Sequence, residues 1–216
     1  MEGEKYMLVE YHKIKAVFAR DEQTKKTVEG KYRSETLKYL ADNVWQFTEK
    51  IDGMNIRIYW DGHRVSFYGR TDNAQIPSAL ANRLSNLFLG EANEQLFEQK
   101  FGKIEVILFG EGYGEKIQSG GAYRKGQDFI LFDAMADGKY LPREDVEEIG
   151  KYFGIDTVPI VLEGTLQEAV DYVKTKPKSK IGTADSEGLV GRPKVELSDV
   201  NEERVITKIK VRDFEI

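Results

Sequence analysis

Lys50 is the residue whose setting first suggests chemistry. It lies in Phe47-Thr48-Glu49-Lys50-Ile51-Asp52-Gly53-Met54-Asn55-Ile56, among apolar, strand-like residues, with a carboxylate two positions on and then a glycine. A lysine in such a place can serve as a nucleophile once it has shed its proton. The commonplace alternative is a surface turn, with Asp-Gly as turn chemistry and lysine as a solubilising charge. Other positions carry groups that a lysine nucleophile could use. Glu111 is bracketed by Gly110 and Gly112 after the apolar run Ile104–Phe109, where missing side chains let a ligand approach the backbone; an exposed loop glutamate is an equal reading. Asp133 interrupts the apolar stretch Phe129–Ala134, so it must be paired, exposed at a strand end, or functional. Glu187 opens Glu187-Gly188-Leu189-Val190-Gly191-Arg192-Pro193. Near the end, strand alternation over Val205–Phe214 puts Lys208, Lys210 and Arg212 on one face and Ile209 and Val211 on the other. Three cations in a row make a strong anion site.

Composition narrows the chemistry. The chain has no cysteine, which removes disulfides, thiol nucleophiles and cysteine-based zinc sites. His12 and His63 are the only histidines, too few for a histidine-rich metal site. A net charge of −5 argues against coating nucleic acid by bulk attraction, but leaves room for a local basic face. With 40% hydrophobic and 32% charged residues over 216 positions, the chain can bury an ordinary core, and a single domain spanning 1–216 is expected. No run is long enough to cross a membrane, and Met1–Lys5 is charged rather than apolar. A cytoplasmic protein without membrane contact is therefore expected.

The elements that must position these groups can be read from periodicity. Tyr11–Phe18 alternates as a strand, and Ser34 can cap a short helix carrying Leu37, Leu40 and Ala41. Trp45–Phe47 is the strand leading to Lys50. Asn55–Trp60 and Arg64–Gly69 read as a hairpin through the two-residue link Asp61-Gly62, so Gly53 is a bend rather than a hairpin tip. That weakens the surface-turn reading of Lys50. Helices are expected from Pro77 to Phe88, from Asn93 to Lys100 and from Pro142 to Phe153. Another follows the capping box Thr165-Leu166-Gln167-Glu168. Tyr123–Asp128 is a basic, glycine-containing loop, and Lys174, Lys176, Lys178 and Lys180 make a basic stretch whose ordinary reading is a solvated loop. Strands and helices intermix without a βαβ rhythm, which favours an α+β domain with antiparallel sheets.

In order and content these pieces resemble the covalent nucleotidyltransferases, which include ATP-dependent DNA and RNA ligases and messenger-RNA capping enzymes. The likeness runs from about Trp45 to the C-terminus and is nearest to the RNA ligase 2-like group, with its many bacteriophage members. Lys-Ile-Asp-Gly-Met-Asn at 50–55, Glu-Gly-Tyr-Gly-Glu-Lys-Ile-Gln at 111–118, Glu-Gly-Leu-Val-Gly-Arg-Pro at 187–193 and Thr-Lys-Ile-Lys at 207–210 carry it. Tyr11-His12-Lys13-Ile14 also looks like the start of phage members.

The resemblance implies a nucleotidyltransferase (adenylation) domain and a three-step ligation. Lys50 takes AMP from ATP and passes it to a 5′-phosphate, and a 3′-hydroxyl then displaces AMP and seals the strand. It implies roles for Lys208 and Lys210 in neutralising the triphosphate, and for Glu187 and Asp52 in holding Mg2+ or Mn2+. Glu111 would hold the ribose hydroxyls, Phe132 would stack on adenine, and Glu49 would read the adenine edge. Arg70 would engage the nucleotide or the 5′-phosphate end, Asn55 belongs to the nucleotide-binding set, and Asp133 supports the site. Partial burial and the cations at 208 and 210 would help Lys50 lose its proton.

Such enzymes normally carry a further C-terminal module, whereas this sequence stops at Ile216. The domain would work alone, rely on a separate protein for end binding, or be part of a longer chain. Phosphates could also be held by Lys174–Lys180, Arg192, Lys194 and Arg212. The expected partner is RNA with 5′-phosphate and 3′-hydroxyl ends, with DNA or an RNA/DNA hybrid as alternatives. A small ATP-dependent DNA ligase and a non-catalytic nucleotide- or RNA-end-binding module are the rival functions; a capping guanylyltransferase fits the motif spellings less well.

Overall fold

The computed structural model describes residues 9–214; the charged leader Met1–Lys5 lies outside them. In chain order the elements are β1 (Lys15–Ala16), β2 (Phe18–Arg20), β3 (Thr27–Tyr32), α1 (Glu35–Tyr39), β4 (Trp45–Glu49), β5 (Met54–Trp60) and β6 (Val65–Tyr68). They continue with α2 (Ser78–Phe88), α3 (Glu91–Phe101), β7 (Val106–Gly114), β8 (Gln127–Ala136), β9 (Lys139–Tyr140), α4 (Arg143–Phe153), β10 (Ile160–Gly164), α5 (Leu166–Lys174), β11 (Gly188–Pro193) and β12 (Thr207–Lys210). Single 3-10 turns cover Gly120–Ala122 and Val211–Phe214. The chain forms two compact units. Among the described residues, one is built from 9–13, 54–112 and 127–155, the other from 14–53, 113–126 and 156–214. Both are mixed α+β. No helix among the described residues is long and apolar enough to cross a membrane.

The unit containing Lys50 is organised by a five-stranded sheet in the order β1-β12-β11-β4-β10. Its pairings are antiparallel except β1 with β12. Trp45 and Phe47 of β4, Leu189 of β11 and Ile209 of β12 are fully or almost fully buried, and they share one core with Leu166, Ala169, Val170 and Val173 of α5. These odd-numbered strand positions form one face of the pleat, and the α5 residues recur at helical spacing, so the sequence pattern itself dictates the contact. Each large aliphatic side chain buried here contributes about 1.5–3 kcal/mol. The predicted capping box is present: Thr165 Oγ1 accepts from Glu168 N at 3.2 Å, and the Glu168 carboxylate accepts from Thr165 N at 2.7 Å. A separate hairpin pairs β2 with β3.

The other unit carries an antiparallel-paired sheet in the order β6-β5-β7-β8-β9. Trp60, Phe88, Phe97 and Phe129 are buried and touch through a chain of aromatic contacts. Here the Asp61-Gly62 hairpin is real but longer than expected, because Trp60 pairs with Val65 and the loop holds four residues. Asp61 Oδ1 accepts from His63 N and Arg64 N at 2.8 and 2.7 Å, an Asx turn that stabilises the longer loop.

Three other expectations change. Tyr11–Phe18 is not one strand: only the short β1 forms before β2 begins. Glu111 lies within β7 rather than at its end, since the strand continues through glycines to Gly114. The terminal strand stops at Lys210, and Val211–Phe214 winds into a 3-10 turn. Arg212 is thereby removed from the strand that carries Lys208 and Lys210.

Gly188, at the start of β11, has φ +145°, and a Cβ there would meet Ile209 O at 2.1 Å. Gly188→Ala is expected to lower stability by at least about 2 kcal/mol, measured by urea unfolding; a cost below about 0.5 kcal/mol would show that β11 and β12 can separate to admit the methyl group.

Candidate active site

Lys50 directly follows β4 and is fixed through its own backbone, its N–H donating to Gly188 O at 2.9 Å. Its Nζ reaches Glu187 Oε2 at 2.7 Å. Lys210 Nζ donates to the other oxygen of that carboxylate. The strand register explains the convergence: β12 pairs with β11 so that Gly188 faces Lys210 and Val190 faces Lys208. Ile209 occupies the core, so alternation sends Lys208 and Lys210 to the opposite face. The side chains of Lys50, Glu187 and Lys210 keep only 24%, 17% and 12% exposure. Burial pushes the Glu187 carboxyl up. The charge of Lys50 and the hydrogen bonds and charge of Lys210 and Lys50 outweigh that, leaving its pKa below the ordinary 4.5.

Around this trio sit groups that the sequence placed less clearly. Glu49 is 3% exposed. One of its oxygens accepts from Lys180 N at 2.8 Å, and among the described residues no donor reaches the other. Here Lys180 of the basic stretch acts through its backbone. Tyr123, which sequence reasoning passed over as part of a loop, accepts from Asp52 N at 3.3 Å. Burial pushes its phenol up to about 12; the Asp52 N–H works against that, while the charges of Glu49, Asp52 and Glu187 add to it. Nothing local signals Tyr123, because 71 residues separate it from Asp52. Its loop is clasped by the segment after Lys180: Thr183 N donates to Ala122 O at 2.8 Å, and Gly182 passes so close that a Cβ would meet Tyr123 O at 2.2 Å.

The rest of the basic stretch and its neighbours are largely committed to protein contacts. Lys174 pairs with Glu29, Lys178 with Asp185 at 2.6 Å, and Lys194 with Glu163 at 2.8 Å. Arg192 is buried.

Asn55, Arg70, Glu111 and Phe132 belong to the other unit. Asn55 and Glu111 face each other across β5 and β7. No donor among the described residues reaches the buried Asn55 Oδ1. Phe132, half-buried on β8, meets the ring of Tyr11 edge-on at 4.9 Å. Asp133 is fully buried and accepts from Tyr11 Oη at 2.7 Å, so the polar group in the apolar run is hydrogen-bonded. Arg70 is exposed on the loop after β6. That loop is held by a residue the sequence did not single out. Arg57, fully buried, donates to Gly69 O at 2.8 Å and to Asp72 Oδ1 at 2.7 Å.

Among the described residues no three histidine or acidic side chains cluster as a self-sufficient metal cage. The Asp52 carboxylate has no ion pair among them, whereas both oxygens of Glu187 are engaged by lysines. One or two carboxylates completed by substrate oxygens and water is a donor set suited to Mg2+ or Mn2+.

A family model described as RNA ligase matches residues 43–210. A search of the curated proteins finds no match. Among solved structures, a lysine-to-methionine variant of the Naegleria gruberi RNA ligase with AMP and Mn aligns at TM-score 0.65 and 18% identity, over 94% of this chain and 58% of that one. The same ligase with pyrophosphate aligns at 0.62 and 20%, over 82% and 52%. An apo variant aligns at 0.64 and 19%, over 95% and 58%. At this identity the likeness establishes the fold, and the chain spans little more than half the length of these ligases.

Because the folded-state pKa of Glu187 is depressed, its contribution to stability is complete above about 4.5 and is lost as pH falls through the lowered value. Glu187→Gln is expected to be less stable at pH 7 and to lose less stability on acidification. Parallel stability–pH curves for the two proteins between pH 5 and pH 2 would show that the shared ion pair does not contribute.

Proposed function

Since the chain belongs to the RNA ligase family, we propose that it is an ATP-dependent RNA ligase whose nucleophile is Lys50. The observation that carries this reading is the Lys50–Glu187–Lys210 cluster, a lysine fixed at backbone and side chain beside a second cation. In the first step Nζ, having given its proton to solvent, bonds to the α-phosphorus of ATP. The bond to the bridging oxygen breaks and pyrophosphate leaves, so AMP remains on Lys50. A 5′-phosphate oxygen of an RNA end then attacks the AMP phosphorus and frees the lysine. Attack of a 3′-hydroxyl on the activated 5′-phosphate releases AMP and seals the strand. The enzyme would do this in the cytoplasm, and residues 1–216 would form one adenylyltransferase domain.

Lys208 and Lys210 are suited to neutralising charge on the triphosphate because strand alternation holds both on one face without reorganisation. A divalent cation would screen the phosphates, held by Asp52, whose carboxylate has no ion pair among the described residues, and by Glu187 once it releases a lysine. The open oxygen of Glu49 supports its reading of adenine: a buried carboxylate with one unfilled acceptor favours an exocyclic amino group and disfavours a carbonyl at the same place. Asn55, Glu111, Phe132 and Arg70 keep the roles implied by their motifs, namely ribose and nucleotide contacts, adenine stacking and engagement of the nucleotide or the 5′-phosphate.

Incubation with ATP and Mg2+ followed by intact mass measurement is expected to show a covalent AMP adduct in the wild type and none in Lys50→Ala. A folded wild type that forms no adduct with Mg2+ or Mn2+ would instead point to a non-catalytic binding module. Oligonucleotides that differ only in the 2′-hydroxyls near the break separate RNA from DNA sealing. Loss of a hydrogen bond to a charged group costs about 1.5–3 kcal/mol, so Glu49→Ala should slow adduct formation at low ATP by roughly ten- to a hundredfold. An unchanged rate would remove Glu49 from adenine recognition.

A further inference from the structure

We propose that a basic pocket formed by the β2–β3 hairpin, the end of α5 and the 3-10 turn after β12 holds the phosphodiester backbone of the RNA, away from the reacting end. The pocket encloses about 610 Å³ and is lined by five cations, Arg20, Lys25, Lys26, Lys174 and Arg212, against two carboxylates, Glu29 and Asp213. The carboxylates are already used: Asp213 takes Arg20 at 2.8 Å, and Glu29 takes Lys174. Lys25, Lys26 and Arg212 have no carboxylate partner among the described residues, and all three are exposed. In a chain of net charge −5, three uncompensated cations around one concavity are a local reversal of sign. Such a site attracts a polyanion that the molecule as a whole repels.

The walls are ordered before any ligand arrives. Asp21 Oδ1 accepts from Gln23 N, Thr24 N and Thr24 Oγ1 at 3.0, 2.7 and 2.9 Å. Asp21 N also donates to Lys26 O at 2.8 Å, closing the hairpin loop that presents Lys25 and Lys26. Phe214 is braced on the other wall by Phe18, edge-on at 6.3 Å, with Lys174 Nζ 5.6 Å from its ring centre. Contacts from such cations to phosphate oxygens position a strand and carry no sequence information.

The location fits a strand rather than a nucleotide. Lys210 belongs to the lysine cluster and Arg212 to the pocket, and two residues of chain separate their Cα atoms by no more than about 7 Å. Unlike Lys210, Arg212 makes no ion pair with Glu187 among the described residues. A polymer reaching Lys50 with its end would have further phosphates available for Arg212 and the hairpin lysines, whereas ATP has none to spare. This assignment rests on the ligase reading for its choice of polyanion.

The test is the salt dependence of RNA binding by the full chain, read from fluorescence anisotropy of a labelled single-stranded RNA. Each phosphate contact contributes about 0.7 to the slope of log K against log salt for single strands. The double variant Lys26→Ala/Arg212→Ala should therefore lose about 1.4 in slope. A control of equal charge change in the other unit, Lys103→Ala/Lys151→Ala, should lose much less. Glutamine in place of alanine in the pocket variant should give the same loss, and unchanged melting temperatures exclude unfolding as its cause.

The loss should be equal for RNA with and without a 5′-phosphate; a loss confined to the phosphorylated strand would overturn the assignment to internal phosphodiesters. Equal losses in pocket and control variants, or no RNA binding by the wild type, would overturn the pocket itself. The lysyl-AMP measurement stands apart: an adduct with no slope change rejects only the pocket, and a slope change without an adduct rejects only adenylylation.

Discussion

One carboxylate holding two ammonium groups is the contact on which the rest of the site depends. Lys50 follows β4 and Lys210 ends β12, strands that are not neighbours, and without Glu187 the two lysines would present like charges in a partly desolvated space. Breaking such an arrangement by removing the shared anion is strongly unfavourable, because the remaining charges stay where the fold has put them. The fold is arranged to make that sharing unavoidable. β11 lies between β4 and β12, so a residue at its start is within reach of both. Gly188 lets the chain enter β11 with Ile209 O pressed against the space where a side chain would be, and its own carbonyl receives the Lys50 N–H. The glutamate and the glycine beside it are therefore one device: the glycine supplies the approach, and the glutamate uses it.

The same contact sets a condition on reactivity. A lysine engaged by a carboxylate at 2.7 Å still carries the hydrogens that must leave before nitrogen can attack phosphorus. In the proposed reaction, phosphate and divalent cation together can relieve this. The cation competes for the Glu187 oxygens, and the phosphates compete for Lys210.

The sequence was most legible where pattern and physics are local. The capping box at Thr165, the burial of alternate residues in β4, β11 and β12, and the helices over 78–88 and 143–153 follow from periods of two and 3.6. The lysine and carboxylate motifs were legible through their order along the chain and through family resemblance, not through any one of them. What escaped was held by distant partners. Nothing in the local pattern singled out Arg57, which is fully buried and satisfied by Gly69 O and Asp72. Tyr123 gained its place only when its loop was tied to Thr183 and Asp52. The four-residue hairpin loop replaced the expected two because the Asp61 carboxylate satisfies two backbone N–H groups, a contest that residue propensities alone do not decide.

The break after Lys210 shows how a small departure from regular structure divides labour. Continued alternation would have added Arg212 to the face of Lys208 and Lys210, concentrating a third positive charge where Glu187 already balances two. The 3-10 turn at Val211–Phe214 takes Arg212 off that face and brings it to the β2–β3 hairpin. Val211 N donates to Glu187 O at 3.0 Å, so the first residue of the turn is still tied to the glutamate that organises the lysines. Phe214, three residues later, packs on Phe18. The segment is thus fixed at both ends, and its intervening charges, Arg212 and Asp213, face the basic pocket by geometry rather than by flexibility. The end of the strand that carries Lys208 and Lys210, the cations proposed to meet the triphosphate, passes in two residues into a surface suited to a longer polyanion.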